Sequence, residues 1–291
     1  MRIAITGSTG LIGSALAPLL VQAGHEVVRL KRPGDWDPEN HKVHLPAFRN
    51  VDALVHLAGE NIAGGRWTAE RKRRIRESRI SGTKLIAETV STLDPPPPVL
   101  ISASAIGYYG DRGDEVLQET SNAGTGFLAD VCQQWEAATA AAARAGIRVV
   151  HLRLGIVLSR KGGALAKMLL PFQFGIGGRI GSGLQYWSWV SLEDVCGVVV
   201  HCIQAPSLQG PVNVVSPAAV TNIEFTRSLG RALSRPTIFP LPSFAARLAL
   251  GEMADPLLLA SARVEPMKLL ASRFVFRHRD LDTALQVLLQ R

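Results

Sequence analysis

Apolar and polar positions along the chain follow two alternating periods. Short runs at 2–6 (RIAIT), 25–30 (HEVVRL), 51–57 (VDALVHL), 99–104 (VLISAS) and 147–155 (IRVVHLRLG) are nearly continuous in Ile, Val, Leu and Ala. Runs of this length, bounded by Gly, Pro or polar clusters, predict strands buried on both faces. Between them lie segments of helical character. One covers 11–22 and stops at Gly24. A long basic one covers about 68–93, with Thr68 as its N-cap and the run PPPP at 95–98 beyond its end. A third covers roughly 126–145 and ends at Gly146. Strands alternating with helices imply a parallel sheet with helices on both faces. Right-handed crossovers then give an α/β, doubly wound Rossmann fold.

After Gly155 the pattern changes. Residues 161–183 are rich in Gly and lack a clear period, which predicts a loop closing over a site. Beyond Ser216 the prolines at 236, 240, 242, 256 and 266 break the chain into short pieces. The expected organisation is a Rossmann domain over 1–215 and a small C-terminal lobe over 216–291 that contributes to the substrate cleft.

Composition narrows the class. Hydrophobic residues make up 47% of the 291 and charged residues 19%, which is globular rather than disordered. No apolar run approaches the roughly 18–20 residues of a membrane span, and a buried strand at the very start leaves no room for a signal peptide. Three cysteines, Cys132, Cys196 and Cys202, are odd in number and far apart. They read as buried thiols in a reducing, cytoplasmic setting. None of the seven His pairs with another at helical spacing or lies near a Cys pair, so no metal site is expected.

The net charge of +8 fits a nucleic-acid surface, a membrane surface, an anionic small ligand, or simply a basic protein. The densest basic run, RKRRIRESR at 71–79, contains Ile75 and is followed by Ile80, Leu85 and Ile86. One face of that helix is therefore buried and the charges form its wet face. Without an aromatic platform it does not suit single strands. Neither nucleic acid nor membrane is expected as a partner; a homodimer stays open.

The strand RIAIT runs directly into GSTGLIG and a helix. If a dinucleotide binds here, each glycine has a task. Gly7 makes the tight turn, Gly10 lets backbone approach the pyrophosphate, and Gly13 lets the helix pack against the sheet. The helix N-terminus would face the phosphates with free N–H groups. At the end of the second strand an acidic residue would select NAD. Here stand Lys31 and Arg32, which suit a 2′-phosphate, so NADP is the expected cofactor.

The G-x-x-G-x-x-G spacing resembles the short-chain dehydrogenase/reductase superfamily. HLAGEN at 56–61 and ISASAIGYYG at 101–110 support its extended subgroup. Active members carry Tyr-x-x-x-Lys on the helix after the serine-bearing strand, where Tyr moves the proton and Lys tunes it. The matching stretch here is FLADVCQQWE at 127–136. Anchored on Glu136, it puts Leu128 at the Tyr position and Cys132 at the Lys position. Shifted by one, it offers Phe127 and Val131. Neither register restores the pair.

Further stretches narrow the resemblance: VLSRKGGALAKML, GGRIGSG with YWSWVSLEDV, PVNVVSP with VTNIEF, and, toward the end, GEMADPLLL, RVEPMKLL and FVFRHRDLDTAL. Together they look like the atypical extended short-chain dehydrogenases named epimerase family proteins, over essentially the whole chain. By position the resemblance implies that Gly7, Thr9, Gly10, Leu11, Ile12, Gly13, Lys31, Arg32, Leu57, Ala58, Gly59, Arg79 and Ile156 or Val157 lie near the cofactor. Arg79 stands where many extended members carry Asn; Arg74 is its alternative on the same helix. Candidate chemistry rests on Ser104, Tyr108 and Tyr109, with Lys84 as a substitute cation. Asp130 and Glu136 read as helix caps or ion-pair partners. Arg179 and Gln185 are candidates to meet a polar or anionic substrate, and Trp187 and Trp189 read as lid packing. The expected function is an NADP(H)-dependent oxidoreductase or epimerase-like enzyme of unidentified small-molecule substrate. The alternative is a non-catalytic NADP(H)-binding redox sensor or partner-binding module.

Overall fold

The structure is a computed structural model that describes residues 1–290. Its centre is a sheet of six parallel strands: β1 (Arg2–Thr6), β2 (Glu26–Leu30), β3 (Ala53–His56), β4 (Val99–Ala105), β5 (Arg148–Leu154) and β6 (Gly210–Val214). Their spatial order is β6-β5-β4-β3-β1-β2. The chain steps outward from β1 to β2 and then returns to the other side of β1 with β3. That reversal creates a switch point between β1 and β3, where loops diverge and leave a crevice at the carboxyl ends of the strands. Thr6 is level with Leu30 on one side and His56 on the other, so Gly7, Lys31 and Leu57 leave the sheet at one height.

Helices cover both faces. α1 (Leu11–Gln22) lies on one face, and α2 (Ala69–Ser91), α3 (Phe127–Ala137) and α4 (Ala140–Arg144) lie on the other. Thr68 caps α2 by accepting the Arg71 N–H. The basic run is its wet face: Arg73 bridges Glu70 and Glu77, while Ile75, Leu85 and Ile86 are buried. The helix expected over 126–145 divides at Thr139. The Thr139 hydroxyl donates to the Glu136 carbonyl and contacts His151 Nε2, so a side chain takes a carbonyl from the helical ladder.

The expected loop at 161–183 is a correction. It contains α5 (Gly163–Gln173), which buries Leu165 and Phe172. α6 (Leu192–Gln204) then joins α1 on its face of the sheet. The C-terminal part builds α7 (Asn222–Leu233), α8 (Ser243–Leu250), α9 (Met267–Ala271) and α10 (Leu281–Leu289). Thr221 and Glu224 close a reciprocal capping box on α7. The core of this lobe also takes Leu165, Phe172, Ile180, Trp187 and Trp189 from before residue 216. Leu269 and Phe276 in turn pack into the Rossmann core. No helix is long and apolar enough to cross a membrane among the described residues.

Between β2 and β3 there is no α-helix. A short hairpin, Trp36–Asp37 against Lys42–Val43, and a single turn at Leu45–Phe48 occupy that place. They bury Trp36 and Phe48 against residues of α2.

Candidate dinucleotide cleft

The glycine loop is fitted to the switch point with almost no spare room. A side chain on Gly7 would begin 2.8 Å from the Leu57 carbonyl and the Ala58 nitrogen, and its φ of +66° is a further demand for glycine. A Cβ on Gly13 would stand 2.3 Å from the Gly7 oxygen, so α1 approaches the loop as the expected packing requires. Gly10 is the N-cap of α1 and provides no side chain to cap it, and no acidic residue sits in the first turn. The first N–H groups of α1 are therefore left for an anion. Thr9 and Gly10 are exposed; Leu11 and Ile12 are half-buried. The turn into α5 lies beside them: Cβ atoms on Gly162 and Gly163 would come within 3.4 and 3.2 Å of the Leu11 methyls.

The other expected positions surround this loop. Lys31 and Arg32 are exposed in a turn closed by Asp35, whose carboxylate accepts the Lys31 N–H at 2.7 Å. Leu57 and Ala58 form the facing wall. Arg79 of α2 reaches the next residues: it donates to the Glu60 carbonyl at 3.0 Å, and its guanidinium lies beside Gly59 and over the ring of Trp135. Burial holds its pKa below the ordinary arginine value. Arg74 is exposed beside Glu70, away from this wall. Ile156 follows Gly155 and is tied through its N–H to the Ser188 carbonyl at 2.9 Å. Arg66 donates to the Leu248 and Ala249 carbonyls and Lys167 to the Ala63 carbonyl, so the loop after β3 joins α5 to α8.

The candidate chemical groups are drawn into one buried network. Arg153, on β5, is 3% exposed and holds Glu136 of α3 through two hydrogen bonds of 2.9 Å. Burial opposes the Arg153 charge, but the Glu136 carboxylate and Tyr109 more than offset it and hold its pKa above the usual value. Ser104 donates to Glu136 at 2.7 Å. The Tyr109 hydroxyl donates to Asn213 Oδ1 at 2.7 Å and accepts from Arg153 at 2.9 Å. Burial pushes its pKa up, against the pull of Arg153. Tyr108 is half-buried with the Arg153 guanidinium 3.5 Å from its ring centroid, and its hydroxyl bonds to none of the described residues.

Leu128 and Cys132 lie one turn apart on α3. They pack against Gly107, where a Cβ would lie 3.3 Å from Leu128 and 3.9 Å from the Cys132 sulfur. Leu128 also joins an apolar cluster with Ile62, Trp67, Phe127 and Met253. Burial, reinforced by Glu136, pushes the Cys132 thiol up to about 12. It is a neutral apolar side chain, not a cation.

The family model for the NAD dependent epimerase/dehydratase family matches residues 3–215, and a domain of unknown function, DUF1731, matches residues 241–288. The chain belongs to the NAD dependent epimerase/dehydratase family. An epimerase family protein of Mycobacterium bovis is 47% identical over 97% of this chain and 96% of its own. The human epimerase family protein SDR39U1 is 35% identical over 98% of this chain and 99% of its own. A crystal structure of human SDR39U1 (isoform 2) with NADPH superposes with a TM-score of 0.91, at 33% identity and full coverage of both chains.

The remaining candidates of this epimerase-family chain make the following contacts. Gln185 is buried and donates to the carbonyls of Ile180 and Leu258. Arg179 is exposed and donates to the carbonyls of Gly181 and Ser182. Trp187 and Trp189 are core residues of the lobe. Lys84 is exposed beside Glu88, and Asp130 pairs with Arg76 on α2. Arg153, Glu119 and Asn213 were not anticipated, although Glu119 receives the Asn213 N–H and completes the buried network. The signal for Arg153 was a charge at an inward position of a buried strand, where an unpaired arginine is not tolerated.

Proposed function

We propose that this protein binds NADP(H) at the switch point and does so without the Tyr–Lys proton relay of active short-chain dehydrogenases. The observation that carries the binding is the backbone cradle in which Gly7 and Gly13 have no space for a Cβ, beside an unoccluded α1 N-terminus. Gly7 to Gly13 hold the pyrophosphate. Lys31 and Arg32 receive the 2′-phosphate, and Leu57, Ala58 and Gly59 flank the adenosine. Bound there, the cofactor supplies a hydride donor or acceptor. The likeness to human SDR39U1 with NADPH supports the same choice of cofactor.

The replaced relay favours a binding protein that reports redox state or presents a surface to a partner. Ser104 and Tyr109 spend their hydroxyls on Glu136, Arg153 and Asn213, and Leu128 cannot give a proton. One observation favours turnover instead: the Tyr108 hydroxyl is unengaged and its ring is stacked on Arg153. In that second reading Tyr108 delivers the proton to a carbonyl oxygen. The test is to incubate the NADPH complex with a panel of aldehydes and ketones and follow absorbance of the reduced nicotinamide. The binding reading expects no oxidation above the protein-free rate. Oxidation that disappears in Tyr108→Phe would establish the second.

A further inference from the structure

Two buried ring nitrogens beside the cleft have no hydrogen-bond partner among the described residues: Nε2 of His56 and Nε1 of Trp36. His56 ends β3 and is wholly buried; Trp36, in the hairpin after β2, is 2% exposed. Their rings meet edge to face, with centroids 5.6 Å apart and planes at 75°. Thr6 sets this arrangement. Its Oγ1 accepts the Leu57 N–H at 3.2 Å and is hydrogen-bonded to His56 Nδ1 at 2.7 Å. That bond serves Nδ1 and leaves Nε2 unmatched among the described residues. A buried ring nitrogen without a hydrogen-bond partner is an expense that core packing alone does not require.

Each end of the pair is attached to a different wall of the cleft. Thr6 immediately precedes Gly7 and His56 immediately precedes Leu57, so their hydrogen bond ties together the two loops that close on each other at the switch point. Trp36 follows Asp35, the residue that closes the Lys31 turn. The Arg32 guanidinium lies 6.0 Å from the Trp36 ring centroid. Behind the indole lies Gly82 of α2, where an added Cβ would make ordinary contact with the ring at 3.5 Å. An exposed arginine loses rotamer freedom when it captures a phosphate. A ring that already supports it lowers that cost.

We propose that Trp36 and His56 are positioning residues for recognition of the 2′-phosphate. The pair fixes the Arg32 turn relative to the glycine loop, so the guanidinium meets the ribose phosphate when the pyrophosphate meets the loop. The proposal rests on the NADP(H) reading above and extends it from the residues that touch the cofactor to the buried contact that aligns them.

The test is calorimetric titration of NADPH and NADH into the wild type, His56→Asn, Trp36→Phe and Arg32→Glu. His56→Asn keeps a hydrogen-bonding group for the Thr6 hydroxyl and removes the ring. It should lower the ratio of NADH to NADPH dissociation constants by about tenfold, mainly through weaker NADPH binding. Trp36→Phe, which conserves an apolar ring, should shift the ratio in the same direction by less; it carries the test if His56→Asn does not fold. A filler of the core would weaken both cofactors alike, so equal losses or an unchanged ratio in both variants would overturn the proposal. A wild-type preference for NADPH that Arg32→Glu abolishes, while both positioning variants keep it, overturns the proposal alone. A wild type with no preference overturns the NADP(H) reading, and this proposal with it.

Discussion

Arg153 holds Glu136 through two hydrogen bonds of 2.9 Å, and the bridged carboxylate also takes the Ser104 hydroxyl. The pair joins β5 to α3. Removing Arg153 alone strands a buried carboxylate, so Arg153→Met should cost about 3–5 kcal/mol of stability. The double variant Arg153→Met, Glu136→Leu removes both charges and should recover much of that loss. Urea denaturation of the two variants checks this; equal destabilisation would show that the ion pair itself carries the packing.

His56 makes a second prediction, in pH. Burial lowers its pKa from 6.5 to about 4. Both folded and unfolded states carry a neutral imidazole at pH 7. As pH falls below 6.5 the unfolded chain takes up a proton that the folded state refuses, so stability declines until about pH 4 and this contribution then levels off. The shift corresponds to a loss on the order of 3 kcal/mol. His151 and His201 are also lowered by burial and add slopes of the same sign. The difference between wild type and His56→Asn isolates the His56 share. Stability curves that stay parallel from pH 7 to pH 4 would contradict it.

The glycine cradle makes a third. Gly10 is exposed with ordinary negative φ, and a Cβ there meets only the Gly7 oxygen, at 3.3 Å. Gly10→Val should therefore fold with a thermal midpoint near that of the wild type. It should bind neither NADPH nor NADH, because the branched side chain stands where the pyrophosphate approaches backbone. Retained affinity for either cofactor would remove the loop from the site.

Much of this was legible in the residues. Near-continuous apolar runs gave the sheet strands, because parallel strands covered on both faces need no polar alternation. Thr68, Gly24 and Gly146 marked helix ends by local chemistry, which depends on neighbours a few residues away. α5 was hidden by the glycines at its start and by Pro171, although Ala164, Leu165, Lys167, Met168, Leu169 and Leu170 are good helix formers. The missing Tyr and Lys could be read from FLADVCQQWE, but not what took their place. Arg153 lies 17 positions from Glu136, and Asn213 lies 94 from Glu119. Such partners are chosen by strand order, which no local window contains. Trp36 and His56 were silent for the same reason: a tryptophan in a turn and a histidine ending a strand acquire meaning only when β1, β3 and the hairpin are brought together.

The proposed NADP(H) site lies at the β1–β3 switch point, with selectivity set by the turn after β2. The most direct measurement is equilibrium titration of the purified protein with NADPH and with NADH, read by quenching of tryptophan and energy transfer to the nicotinamide, repeated with Arg32→Glu. NADPH is expected to bind at least about tenfold more tightly than NADH, and Arg32→Glu to erase the difference. Equal affinities in the wild type, or a preference untouched by Arg32→Glu, would contradict it.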